Sequence, residues 1–386
     1  MIHILKILFR NTFRHKLRTG LTVLGICIAV LAFGLLRTVI TTWYMGVEAS
    51  SANRLWTRNA ISLMFSLPIA YQEKIRQIEG VKFVSHASWF GGIYIDEKNF
   101  FAQFAVEPET YMAAYSEYYI PPEQKAALLR DRKGAVAGRK LAARYGWKIG
   151  DVITLKGTIY PGTWEFVLRA ISRGTRKDAD ETVFSFHWDY LNETLKKTAP
   201  ARADQVGAFI VVVKNPDTVA DVASRIDKMF KNSLAETLTE TEKAFVLGFI
   251  SMSQAIITVI QLVSFAVIAI ILAVVANTMS MTARERRSEH ATLKALGFGG
   301  FRIATLIFGE SLVITMAGCA FGVALTFPVA QVFGKVMGQY FPSFNVTGET
   351  IWLDLITSIL VGLLAAIIPT WQAIRMPVAE GLRRIG

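Results

Sequence analysis

Four long apolar runs are separated by polar stretches along this chain. Each is long enough to cross a bilayer, which takes about 20 helical residues. The first starts near Leu17 and continues through LTVLGICIAVLAFGLL; the others cover 245–281, 303–330 and 351–371. A cleaved leader is the alternative for the first run, with a basic start and a small-residue cleavage site after the apolar core. Here Arg37, Trp43 and Tyr44 follow instead, as a snorkelling and aromatic membrane edge would. The second run is too long for a plain crossing: 37 residues of helix span roughly 55 Å against a hydrocarbon core of about 30 Å. Its first half is the more polar, with Ser251, Ser253, Gln254, Thr258 and Gln261, and no Pro or Gly interrupts 231–243 upstream. The pattern predicts two helices continuing out of the membrane as a stalk, with a surface-lying apolar hairpin as the alternative.

Between the first two runs lies a stretch of about 200 residues, enough for one or two small domains. Helical periodicity marks 68–78, 121–130 and 218–230; strand character marks 100–106, 152–155, 164–170 and 208–213. Turn signals such as Gly91-Gly92, Pro161-Gly162 and Asn215-Pro216 separate them. The predicted fold class is a membrane α-helical protein with four spans, stalk helices and a mixed α/β domain inserted between the first two. The expected segments are a cytoplasmic N-terminal stretch (1–16), the first span and stalk start (17–45), the extracytoplasmic α/β domain (46–244) and a stalk with the second span (245–281). A cytoplasmic helix (282–302), the third span (303–330), a short outer loop (331–350), the fourth span (351–371) and a cytoplasmic tail (372–386) complete it.

Composition agrees. Of 386 residues 52% are hydrophobic and only 19% charged, and the net charge is +12. Residues 46–244 carry a net of only +3, so +9 sits on the most apolar part of the chain, a membrane signature that excludes nucleic acid as the partner. Lys6, Arg10, Arg14, Lys16 and Arg18 flank the first run, and Arg284, Arg286, Arg287, Lys294 and Arg302 lie between the second and third. Arg375, Arg383 and Arg384 follow the fourth, whereas 331–350 holds only Lys335. The positive-inside rule then puts both termini in the cytoplasm of an inner-membrane protein.

Catalytic and metal motifs are sparse. Gly334-Lys335-Val336 lacks the upstream glycine and the Ser/Thr of a phosphate-binding loop, so no nucleotide hydrolysis is expected from this chain. The histidines His3, His15, His86, His187 and His290 are scattered, and Cys27 and Cys319 lie inside apolar runs as packing residues. His187-Trp188-Asp189, if on a strand, would put two possible ligands on one face without a third. Aromatic residues from Trp89 to Tyr119 suit either core packing or contact with lipid or an adaptor. Glu310 lies inside the third run; a proton or ion path needs more than one such group, so a basic residue near the inner interface is its expected partner. The segment 284–296 reads as a short amphipathic helix, with Leu293 and Leu296 on one side and Arg284, Glu285, Arg287 and Glu289 offering ion pairs. Gly297, Gly299 and Gly300 end it. Such a helix either docks in a cleft of a cytoplasmic partner or is a solvated loop.

Several of these stretches resemble permease subunits of MacB-like ABC transporters, the superfamily that includes FtsX and the lipoprotein-releasing permeases LolC and LolE. They are LRTGLTVLGICIAV, RERRSEHATLKALG with the span bearing Glu310, PTWQAIRMPVAEGLR, GAVAGRKLAARYGWKIGDVITL and IEGVKFVSH. The resemblance implies a homodimer or heterodimer of four-span subunits bound to separate ATPase subunits, which hold the ATP and Mg. Coupling would run through Arg284, Glu285, Arg287, Glu289, Leu293, Lys294, Leu296 and Gly297, and nucleotide-driven motion would reshape the outer domains. Trp371 and Gln372 stand where the family often has basic residues, and no ATPase domain is fused. Export or extraction of a lipid, lipoprotein, peptide or drug, with or without a periplasmic adaptor and outer-membrane channel, is the expected work. An FtsX-like scaffold that regulates an outer partner such as a cell-wall hydrolase is the alternative.

Overall fold

The computed structural model describes residues 16–176, 179–337 and 344–378. Lys6, Arg10, Arg14, His3, His15, Arg383 and Arg384 lie outside them. The chain forms two units. One is a bundle of four membrane-spanning helices; the other is an α/β domain, extracytoplasmic in the topology these spans define.

In chain order the elements begin with the helix α1 (Lys16–Ala49), then β1 (Arg54–Asn59), β2 (Leu67–Pro68), α2 (Tyr71–Arg76), β3 (Val81–Trp89), β4 (Gly92–Ile93) and β5 (Gln103–Val106). Next come α3 (Pro108–Ala114), β6 (Tyr118–Tyr119), α4 (Pro122–Arg130), β7 (Gly134–Gly138), α5 (Arg139–Tyr145), β8 (Val152–Gly157) and β9 (Gly162–Gly174). They are followed by β10 (Phe184–His187), α6 (Trp188–Thr198), β11 (Gln205–Val206), β12 (Ala208–Val213), α7 (Val219–Met229) and β13 (Thr237–Thr241). The helices α8 (Glu242–Met252), α9 (Gln254–Glu285), α10 (Arg287–Ala295), α11 (Gly300–Val336) and α12 (Gly348–Arg375) complete the chain.

The α/β unit is built on one mixed sheet, ordered β13-β1-β12-β3-β5-β10-β7-β9-β8-β4. The interior strand β12, AFIVVV, is buried at every position, as a strand covered on both faces must be. Phe90, Phe166, Phe184 and Phe186 fill the core, with the Phe90 and Phe186 rings edge to face at 5.1 Å. The aromatic residues between Trp89 and Tyr119 divide: Phe90 and Phe101 are buried, whereas Trp89, Phe100 and Tyr119 stay exposed.

Two sequence expectations need correction here. Residues 231–243 hold the strand β13 where a helix seemed uninterrupted. Its TLTET pattern pairs with β1 in antiparallel register, Thr57 opposite Thr239, and their hydroxyls meet at 3.0 Å. Asp227 of α7 accepts from the Thr237 and Thr239 hydroxyls at 2.9 and 2.7 Å, so tertiary partners override local helix propensity. The apolar run 245–281 is also not one helix. It breaks at Ser253, between α8 and α9, in a serine-rich turn where the Ser251 hydroxyl donates to the Gly248 carbonyl at 2.6 Å.

In the bundle, α11 supplies small residues where neighbours approach closely. A β-carbon on Gly318 would stand 2.6 Å from Ile26, and one on Gly322 2.7 Å from Val30, both on α1. This G-x-x-x-G spacing lets two helices pack backbone to backbone in lipid, where dispersion and interhelical hydrogen bonds replace the hydrophobic effect. Against α12, Gly362 plays the same part: the Ser311 hydroxyl donates to its carbonyl at 2.6 Å. Replacing Gly322 with Val is expected to push α1 off α11 and to cost about 1–3 kcal/mol. Thermal unfolding of the detergent-purified chain checks it; an unchanged midpoint would show that this contact does not hold the bundle.

Candidate functional site

The link between the second and third spans is short and heavily braced. The helix α9 ends at Glu285, and Arg286 sits at the break before α10, so the expected single helix from Arg284 is in fact two pieces. A Schellman motif closes α10: the Gly297 amide donates to the Lys294 carbonyl at 2.9 Å and the Phe298 amide to the Leu293 carbonyl at 3.0 Å. Gly297 takes φ 84°, a conformation a β-carbon would strain.

The charges expected to face a partner divide into two groups. Glu285 accepts both terminal nitrogens of Arg18 at 2.6 and 2.7 Å, which ties the end of α9 to the start of α1. Glu289 accepts from Arg286 Nε at 2.8 Å, and Lys294 donates to the carbonyls of Ile374 and Met376 at 2.6 and 2.8 Å. That lysine neutralises the last turn of α12, where helix carbonyls lack partners. Arg284, Arg287 and Leu296 are exposed instead, and Leu293 is half-buried. Phe298 and Phe301 extend the apolar part of the exposed face.

Arg286 is the hub that sequence reasoning missed. Besides Glu289 it pairs with Glu310, buried in α11, and so supplies the basic partner that residue needs. The signal was present: a lone carboxylate about two turns inside a span needs a cation, and Arg286 has its i+3 acid at Glu289. His290 is buried against the same hub. Burial first, then the Arg286 charge, pushes it down to about 4.

A second site lies in the α/β unit, where β1 and β13 adjoin the helices. Arg54, 2% exposed, donates through Nε to Glu242 at 2.8 Å and through Nη2 to Glu117 at 2.7 Å. Its Nη1 reaches the Ala114 carbonyl at 2.5 Å, and its guanidinium lies 3.9 Å from the Tyr115 ring centroid. Glu242 also accepts the Ser51 amide at 2.8 Å. One carboxylate at the start of α8 thereby holds the chain that has just left α1. Burial alone would lower the Arg54 pKa, but the two carboxylates outweigh it and hold the charge firmly on.

The His187-Trp188-Asp189 triplet does not share a strand face. The strand β10 stops at His187, whose Nε2 bonds the Leu128 carbonyl at 2.7 Å, and Asp189 opens α6 on the surface. Among the described residues no three acidic, His or Cys side chains gather as a metal site.

Residues 261–378 match the family model for the FtsX-like permease C-terminal region. An uncharacterized ABC transporter permease of Methanocaldococcus jannaschii is 26% identical over 405 residues, covering 97% of this chain and 96% of that protein. The likeness is to the C-terminal region of FtsX-like permeases and to an uncharacterized ABC transporter permease, at low identity. An uncharacterized ABC transporter permease protein of Mycobacterium tuberculosis is 23% identical over 65% of this chain and 29% of its own length. Two solved structures are also similar. The extracellular domain of the ABC-type transporter YknZ from Gram-positive bacteria has a TM-score of 0.36 at 10% identity, over 49% of this chain and 99% of that one. The periplasmic region of MacB from Actinobacillus actinomycetemcomitans has a TM-score of 0.37 at 8% identity, over 53% and 95%. Likenesses this distant carry no argument.

Two buried groups of the α/β unit, Arg54 and His86, give measurable outcomes. Arg54→Met strands Glu242 and Glu117 without their cation and should destabilise the domain by about 3–5 kcal/mol. Denaturant unfolding followed by tryptophan fluorescence measures it, and a loss under about 1 kcal/mol would make the cluster an ordinary surface pair. The other concerns His86, which burial pushes down to about 4 despite the opposing charge of Asp189. Above pH 6.5 the ring is neutral folded or unfolded; between about 6.5 and 4 only the unfolded chain takes up the proton. The His86 contribution to stability should therefore fall by about 1.4 kcal/mol for each unit that pH is lowered across that window, and His86→Gln should reduce the slope of denaturant-measured stability against pH by that amount; an unchanged slope would contradict it.

Proposed function

We propose that this chain is the permease subunit of an ABC transporter complex in an inner membrane. Both termini and α10 lie on the cytoplasmic side, where a separate ATPase binds and holds ATP and Mg. Nucleotide-driven movement there is passed to the α/β domain, which exports or extracts an amphipathic substrate such as a lipid, lipoprotein, peptide or drug. The observation that carries this reading is the bracing of α10. Glu289 ties it to Arg286, which pairs with Glu310 of α11, Lys294 holds α12, and Glu285 at the end of α9 holds α1, so a push on the exposed Arg284, Arg287 and Leu296 moves the spans rather than bending a loop. Homology to ABC transporter permeases supports it independently. A second permease in a homodimer or heterodimer, and an adaptor with an outer-membrane channel, are further partners on this reading.

The FtsX-like alternative, a scaffold that signals to an outer hydrolase and transports nothing, is favoured by one feature. The loop after β1 exposes Ile61, Met64 and Phe65, and the turn before β13 exposes Leu234 at the same end of the paired strands. Reducing this apolar patch to serines separates the two: loss of binding to an outer hydrolase and of its activation supports signalling, whereas substrate movement that the change leaves unaffected supports transport.

Reversing Arg284 and Arg287 to Glu should leave insertion intact, because neither charge is used in bracing. Rim charges of this kind set on-rate, salt dependence and specificity. The double variant is expected to lose ATPase binding or stimulation in co-purification and turnover assays, whereas reversal of the exposed outer-domain Arg132 and Lys133 should not. Wild-type stimulation by the double variant would remove these residues from the docking surface.

A further inference from the structure

Asp354, in the second turn of α12, is 2% exposed and its Oδ1 has no hydrogen-bond partner. Beside it is a cavity of about 10 Å³ lined by Thr315, Thr357, Ser358, Phe33 and Ile271, so all four spans border it. That volume is close to the least that holds one water. Gly34 of α1 makes the space for the carboxyl: a β-carbon there would lie 3.1 Å from Asp354 Oδ2 and 3.3 Å from Thr326 Cγ2.

The surrounding hydroxyls decide the chemistry. Thr315 donates its proton to the Ser311 carbonyl at 3.0 Å, and Thr326 donates to the Gly322 carbonyl at 2.8 Å. Both oxygens therefore turn lone pairs, not protons, toward their other neighbours. The titratable group on α11 that faces Asp354 is Cys319, whose Sγ is 3.8 Å from the Asp354 carbonyl oxygen. The residues lining the cavity from α1 and α9 are apolar. Arg37, one turn beyond Gly34, is 3.7 Å from Glu349. An ionised carboxylate here would lie in hydrocarbon with no cation among the described residues against it and only the Thr357 and Ser358 hydroxyls as donors, which is far costlier than taking up a proton.

We propose that Asp354 is a proton-binding site in the span bundle, a neutral carboxyl that shares a one-water cavity with Thr315, Thr357 and Ser358. The neutral acid supplies an O–H donor for the Thr315 oxygen or the cavity water, since the Thr315 proton is spent on the Ser311 carbonyl, and keeps α12 packed on α1 and α11. Loss of the proton puts an uncompensated charge between the spans and separates them, so the bundle responds to protonation at this residue.

The test uses the purified full chain in lipid nanodiscs. Dicyclohexylcarbodiimide reacts with protonated carboxyls in apolar surroundings, and peptide mass spectrometry locates the adduct. Expected is an adduct on Asp354 that declines as pH rises, is unaffected by sodium and is absent from Asp354→Asn. Infrared difference spectra of wild type against Asp354→Asn should show a protonated carboxylic acid band lost in the variant, whether or not the reagent enters. Asp354→Asn, which copies the neutral acid, should keep the wild-type melting temperature. A carboxylate band in place of the acid band would overturn the proposal by showing an ionised residue, for example one held by Arg37. Protection from the reagent by sodium would overturn it in favour of a metal cation.

Discussion

The α/β domain depends on one buried charge. Arg54 cannot be buried without carboxylates to hold it, and the two it uses come from different parts of the chain, Glu117 before α4 and Glu242 at the start of α8. Because Glu242 also holds the Ser51 amide, the chain leaving α1 and the chain entering α8 share one carboxylate. The strands β1 and β13 pair directly beyond this point, and β12 and β3 extend the sheet from β1.

The bundle follows a different rule. In lipid, helices gain little from burying apolar surface, so contact is set by small residues and by the few polar groups that must be satisfied. Gly318, Gly322 and Gly362 set how closely the helices approach, while Arg286 with Glu310 and Lys294 with the α12 carbonyls fix the link between the second and third spans. The same scarcity of partners makes Asp354 conspicuous. Every other acidic side chain described in the bundle has a basic residue within ion-pair distance.

The four spans were legible in the sequence because a 20-residue apolar run is a local requirement of the solvent. The Pro-led helix α4 and the apolar strand β12 were legible for the same local reason. The strands β1 and β13 were not: RLWTRN and TLTET mix charged and polar residues with one or two apolar ones, and pairing of the two with each other and of β1 with β12, with Asp227 holding β13, makes them strands. At the link, sequence located the segment but not the roles. Arg284, Arg286 and Arg287 are equivalent as letters; Arg286 alone meets Glu310, and Arg18 reaches Glu285 from 267 residues away. No local pattern contains that information.

On the proposed function, movement at α10 would reach the α/β domain through the chain segments that meet at Arg54. Hydrogen exchange of the chain reconstituted with a partner ATPase tests it most directly, comparing the ATP-bound complex with the nucleotide-free one. Nucleotide-dependent exchange is expected both at 286–299 and at the amides of 50–56 and 237–245. Changes confined to 286–299, with the Arg54 region exchanging identically in both states, would contradict it.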